Sequence, residues 1–197
     1  MPNREGQSYA FAALTPITNG STHGVIHAAE LRSVLARLNQ LDVSPFTRVP
    51  GTHFARWNVI DDMTQLGFPS QEDHLQSKYL MLEADFDGDR DRWIDGMTAG
   101  IPETINAVYR HCVGFPGVDS LADFRTYLVK CQLTTTLAFA PYGTETLDTV
   151  LRALDAQRKF VGFVQSAQGR SDLELRLAFT DFANRLRAAP TPRPGEI

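Results

Sequence analysis

The sequence is short of features that would declare a chemistry at once. It has only two cysteines, Cys112 and Cys131, far apart and without metal-type spacing, so neither a disulfide framework nor a zinc cluster is expected and both are read as free thiols. No apolar run reaches the length a membrane span requires, and the leading MPNREGQSY lacks the apolar centre of a secretory signal. The expectation is a cytoplasmic protein with no membrane partner. A glycine-rich phosphate loop, a Gly-x-Ser-x-Gly elbow and a Cys–His nucleophile spacing are all missing, which leaves hydrolase and kinase readings without support. Basic residues form no stripe: 19 Lys and Arg are outnumbered by 23 Asp and Glu, for a net charge of −4. Nucleic acid is therefore not an expected partner, and a small-molecule substrate is.

What is present is an ordinary globular composition, 43% hydrophobic over 197 residues, enough for one domain with a sizeable core. Residues 1–187 are read as a single domain with a C-terminal helical extension, and the tail AAPTPRPGEI (188–197) as disordered. SYAFAALTPI, residues 8–17, suits a first strand. Ala28, Leu31, Val34, Leu35 and Leu38 fall at helical spacing and predict an amphipathic helix that ends near Asn39. THFARWNVID is the second strand, followed by a polar loop of about fifteen residues, and KYLMLEADFD, residues 78–87, is the third. A helix with Trp93, Ile94 and Met97 follows, broken at Gly100, and Pro102 opens another carrying Ile105, Val108, Tyr109 and Cys112. Ser120 and Asp123 resemble a capping box for a short helix, CQLTTTLAFA reads as a fourth strand, and the remainder is helical. The order β-α-β-β-α-β, with additional helices, is that of a ferredoxin-like α+β sheet with helices on one face. Such a sheet commonly covers its other face by pairing with a second copy, so a homodimer is expected.

Alternation along a strand sorts the side chains onto two faces. The third strand divides into Leu80, Leu82, Ala84, Phe86 and Tyr79, Met81, Glu83, Asp85. Only the first set is wholly apolar, so it should lie under the helices, where unpaired carboxylates would be costly. Setting Arg56 opposite Glu83 aligns Asn58 with Met81, Phe54 with Asp85 and Trp57 with Leu82, and matches like with like on both faces. His53 and Trp57 then face the helices. In the fourth strand Thr134, Thr136 and Ala138 would share the open face, with Leu133, Leu137 and Phe139 packed inward. An apolar wall with a few convergent polar groups is the usual lining of a small-molecule pocket. Arg56, Glu83, Asp85 and His53 are the candidate catalytic residues, and Asn58, Phe54, Tyr79, Met81 and Thr136 the candidate substrate contacts. The competing reading is a dimer interface around a buried ion pair.

At THFARW and, some thirty residues later, ADFDGD, the chain resembles a group of bacterial and fungal proteins with the dimeric ferredoxin-like α+β barrel fold, distantly similar to dye-decolorising peroxidases. The matching stretches are Thr52 to Arg56, Phe86 to Gly88, and the turn Cys112-Val113-Gly114-Phe115-Pro116. The resemblance covers about residues 10–145. It implies an oxidoreductase of peroxidase or monooxygenase type, with haem as a possible cofactor. Arg56 with Asp85 or Asp87 would then work on the peroxide side, and His111 would be the axial ligand. The alternative is a non-catalytic ligand-binding or dimerisation protein without a cofactor.

Two metal patterns are weighed against plainer ones. His23, His27 and Glu30 would share a face only if a helix began near Ser21, which Gly24 opposes, so a solvated helix entrance is preferred. Asp85, Asp87, Asp89 and Asp91 alternate like calcium ligands but lack the twelfth-position Glu, and a strand end running into an acid-rich helix start is preferred.

Overall fold

The computed structural model describes residues 8–62, 74–139 and 145–196. The chain divides into two compact units, Met1–Thr144 and Glu145–Ile197. The polar loop expected after the second strand falls largely on 63–73, outside the described residues.

The first unit is a mixed α+β structure. Its strands are β1 (Ser8–Pro16), the short β2 (Ser21–Thr22) and β3 (Val25–Ile26), β4 (Thr52–Ile60), β5 (Tyr79–Asp87) and β6 (Gln132–Leu133). Its helices are α1 (His27–Leu38), α2 (Arg90–Gly100), α3 (Pro102–Tyr109) and α4 (Leu121–Lys130). The main sheet has four strands in the order β4-β5-β1-β6, and every neighbouring pair is antiparallel. The β4–β5 register is the one the like-with-like argument selects: Arg56 opposes Glu83, Asn58 opposes Met81 and Trp57 opposes Leu82.

The apolar rows make the core. Phe11 and Ala13 of β1 and Leu80, Leu82, Ala84 and Phe86 of β5 are buried with Trp93, Ile94, Met97, Ile105, Val108, Tyr109, Phe124 and Leu128 from the helices. Removing each large side chain from water contributes roughly 1.5–3 kcal/mol, so this layer holds the helices to one face of the sheet. Phe86 stacks on Trp93 at 4.2 Å with planes 3° apart, and Trp57 donates its indole N–H to Tyr109 Oη at 3.3 Å. The opposite row, Met81, Glu83 and Asp85 with Arg56 and Phe54, runs from half-buried to exposed.

Helix boundaries follow local chemistry. Asp89 caps α2 by accepting from the Arg92 N–H at 2.9 Å, with Asp91 in the first turn, so the alternating acids do open a helix. Gly100 ends α2 because a Cβ there would lie 2.7 Å from the Arg48 carbonyl oxygen, and Pro102 starts α3. Ser120 caps α4.

The fourth strand is much shorter than expected. Only Gln132 and Leu133 pair with β1, at Ala13 and Ala12. Where continued pairing would set Thr135 opposite Ala10, the Thr135 hydroxyl itself donates to the Ala10 carbonyl at 3.1 Å, and a side chain takes the place of the ladder. Leu133, Leu137 and Phe139 are consequently not packed inward; they are 45%, 78% and 88% exposed. Thr136 is exposed beyond the strand end and does not join the sheet face.

The second unit is formed by α5 (Leu147–Ala167) and α6 (Asp172–Ala188), joined by a tight turn. Thr146 caps α5, and Ser171 with Glu174 forms a reciprocal capping box on α6. Among the described residues, no helix is long and apolar enough to cross a membrane.

Candidate functional site

The open face takes its polar character from two adjacent strands. β5 presents Glu83, Asp85 and Asp87 at every second position, and β4 presents Phe54, Arg56 and Asn58 beside them. Arg56 Nε donates to Glu83 Oε2 at 2.6 Å, and Asn58 Nδ2 reaches the same oxygen at 3.4 Å. The Arg56 guanidinium also lies 5.6 Å from the Phe54 ring centroid, a cation–π contact. Its hydrogen bond to Glu83 and that group's charge hold the guanidinium more firmly protonated than usual.

His53 is on the other side of the sheet from the position that strict alternation assigns it. The register slips by one between Thr52, opposite Phe86, and Phe54, opposite Asp85, so His53 is the extra residue of a β-bulge. Thr52 takes the helix-facing place: its hydroxyl donates to the Val49 carbonyl and accepts from Trp93 Nε1, both at 2.9 Å. His53 instead joins the acids, with Nε2 at 2.7 Å from Asp87 Oδ1. Gly51 makes the approach possible. It sits at φ +73, its carbonyl accepts from the Asp87 N–H at 2.9 Å, and an added Cβ would come within 3.2 Å of Asp87 Cβ.

A carboxylate only accepts, so the ring proton belongs on Nε2, which leaves Nδ1 with the basic lone pair. Among the described residues Nδ1 has no hydrogen-bond partner. Asp85 completes the group. Partial removal from solvent raises its carboxyl above the usual range and Glu83 pushes the same way, while His53 opposes both. The cluster can therefore accept a proton at His53, hold a second near Asp85, and offer Arg56 to an anionic oxygen.

Tyr79 and Met81 lie on the same face but further along. Tyr79 opposes Pro16 and Ile60, eight residues from Asp87. At ~3.4 Å per residue that is about 27 Å, too far for one small substrate to touch both ends. The site therefore contracts to His53, Phe54, Arg56, Glu83, Asp85 and Asp87, with Asn58 and Met81 at its margin.

His111 lies elsewhere. Its carbonyl accepts from the Thr18 N–H at 2.9 Å and Cys112 bridges to Ile17, beyond the Pro16 end of β1, whereas Asp85 opposes Ala10 near the other end. Seven residues of strand, about 23 Å, separate the two positions. The His111 side chain is buried, with Nδ1 at 3.3 Å from Nδ1 of His27. A haem whose axial ligand is His111 cannot have Arg56 and Asp85 or Asp87 over its other side. The residues do not fit a haem held in that way, and Asp87 is engaged with His53 instead. His23, at φ 50, lies between β2 and β3, and His27 opens α1, so these residues mark the expected helix entrance. No cluster of three potential metal ligands occurs among the described residues. Cys112 and Cys131 are free thiols, and burial pushes Cys112 up to about 12, which keeps it unreactive at neutral pH.

The signal that could have placed His53 with the acids was in the sequence. Gly51-Thr52 immediately before a strand, with a Trp one turn into a nearby helix, is a plausible bulge site. No family model, curated protein or solved structure matches the chain.

Proposed function

We propose that the open sheet face is the working surface of a small-molecule oxidoreductase of monooxygenase type, with His53 as the proton acceptor. The observation that carries the reading is the His53–Asp87 contact of 2.7 Å beside the raised Asp85 carboxyl. Asp87 fixes the ring so that Nδ1 points its lone pair outward, and Arg56 and Phe54 offer charge and an aromatic wall to an electron-rich, partly aromatic substrate. Taking a proton from such a molecule leaves an anion able to give an electron to dioxygen. This reading keeps the oxidoreductase class that the THFAR and FDG stretches imply and drops the haem peroxidase arrangement.

The same reading includes a ferredoxin-like fold and a homodimer. The strand order β4-β5-β1-β6 with all pairs antiparallel supports the first. The second rests on the flat, half-exposed row of Phe54, Met81 and Leu14, which a second sheet would close into a pocket.

The test is oxygen uptake with a panel of small enolisable and phenolic compounds. Wild type should consume oxygen with at least one of them, and His53→Ala and Arg56→Ala should lose turnover while retaining their circular-dichroism spectrum. Uptake that survives His53→Ala overturns the assignment. If no compound is turned over and Phe54→Asp halves the mass in sedimentation, the face is a dimer interface without chemistry.

A further inference from the structure

The helical unit leaves its apolar seam open. Phe160 and Val164 of α5 and Leu175 and Phe179 of α6 line a groove of about 660 Å³, and they remain 45%, 39%, 41% and 49% exposed. Beneath them Phe163 and Phe182 stack at 4.9 Å and tie the two helices together. A contiguous aromatic groove of this kind on a protein surface marks an interaction site.

Its rim is basic. Arg170 and Arg176 border the groove with Asp172, and Arg187 borders its continuation beside Gln157. Among the described residues none of the three arginines has a carboxylate at ion-pair distance, whereas Lys159 and Arg185, bordering the other side of the seam, are paired with Asp155 and Asp181. The two units also differ in balance. Residues 145–197 carry 8 Lys and Arg against 7 Asp and Glu, while residues 1–144 carry 11 against 16.

We infer that this seam is a docking groove for an acidic amphipathic helix of a partner protein. Apolar side chains spaced i, i+3, i+4 and i+7 would enter between Phe160 and Phe179, and flanking acids would reach Arg170, Arg176 and Arg187. A second copy of the chain fits less well. Two grooves brought together antiparallel set Arg170 and Arg176 of each against Arg187 of the other. Brought together parallel, they set the arginines over Ala153, Gln157, Phe160 and Val164, a row without an acid. Charge complementarity thus singles out a foreign acidic helix.

The test titrates the full chain with two synthetic helical peptides. Both carry leucine at i, i+3, i+4 and i+7, with glutamate elsewhere in one and lysine in the other. The leucine–glutamate peptide should bind, and Arg176→Glu should weaken it about tenfold, as loss of a close charge contact does. The triple variant Arg170→Glu, Arg176→Glu, Arg187→Glu should invert the preference without changing helix content. Equal binding of the two peptides, or no binding of the acidic one, overturns the proposal. So does a fall in sedimentation mass for Phe179→Asp, which would make the occupant a second copy. Binding to phosphatidylserine vesicles that the triple variant abolishes, with no acidic-peptide binding, would make it a membrane.

Discussion

His53 Nε2 stands 2.7 Å from Asp87 Oδ1 because β4 carries one more residue than β5 at that point. The extra residue turns the imidazole toward the acids, and the Trp93–Thr52 hydrogen bond holds the turn on the helix side. A contact on one face of the sheet therefore depends on a tryptophan on the other. The first prediction concerns the ring proton. In wild type, nitrogen NMR should report His53 in the Nε2–H tautomer at pH 8. Asp87→Asn can offer its amide N–H as well as its carbonyl, so the variant should give a mixture of tautomers and lose at least about tenfold in turnover. A single unchanged tautomer in Asp87→Asn would remove Asp87 from its orienting role.

Gly51 is the hinge of the same arrangement. Gly51→Ala asks an L-residue to hold φ +73 and places a methyl group 3.2 Å from Asp87 Cβ. The left-handed conformation alone costs roughly 1–2 kcal/mol, and the crowding adds to it. Urea unfolding should show a loss of about that size or more, and His53→Ala, with no ring to misplace, should show little loss of stability. Equal stability of Gly51→Ala and wild type would mean that the β4 entrance relaxes freely.

Much of this was legible before any coordinates, and the rest has identifiable reasons for being hidden. The β4–β5 register could be read because Arg56 and Glu83 on one face and Trp57 and Leu82 on the other both make sense in only one alignment. His53 could not be placed by alternation, since a bulge shifts the phase and leaves composition unchanged. The early end of β6 was hidden for a related reason. Gln132 to Phe139 has strand-like residues, but an edge strand gains pairing on one side only, and a threonine hydroxyl can satisfy the Ala10 carbonyl in its place. The meeting of His27 with His111 joins residues 84 apart and leaves no periodic trace. The helices of residues 147–188 were plain in the leucine spacing, but the exposure of Phe160 and Phe179 depends on what covers the seam, which periodicity does not contain.

The helix side of the sheet offers a test of packing without catalysis. Tyr109 is fully buried, and its hydroxyl accepts the Trp57 indole N–H at 3.3 Å. Burial drives the phenol pKa well above its ordinary value, so it stays neutral across the working range. Tyr109→Phe keeps the ring contacts with Phe124 and Tyr127 and deletes only the acceptor. The half-buried indole N–H then lacks its partner, at a cost of about 1–3 kcal/mol. Denaturant unfolding should show that loss with oxygen uptake unchanged. A variant that loses turnover in proportion to stability would tie the helix layer to the site more tightly than the geometry implies.

The last prediction is a pH dependence centred on the far end of β1. His27 Nε2 lies 2.9 Å from Thr22 Oγ1, and the two imidazoles meet Nδ1 to Nδ1 at 3.3 Å. His111 Nε2 is buried without a partner among the described residues, and an unmet acceptor costs less than an unmet donor. The protons are therefore best placed with His111 Nδ1–H donating to His27 Nδ1, and His27 Nε2–H donating to Thr22. Protonating either ring destroys this chain, because Nδ1 would face Nδ1 with a hydrogen on each. Burial depresses the His111 pKa, Arg110 and His27 push it the same way, and Glu30 opposes them weakly. A depressed histidine binds more protons unfolded than folded. Its stabilising contribution is complete above about 6.5, declines as pH falls through that value, and levels off only below the lowered folded pKa. The urea midpoint should therefore be lower at pH 5.5 than at pH 7.5, with the hydrogen bond between the rings contributing about 1 kcal/mol. In His111→Phe the drop over the same interval should be clearly smaller. An equal drop in the two proteins would assign the acid sensitivity to other groups and leave the paired imidazoles a packing contact.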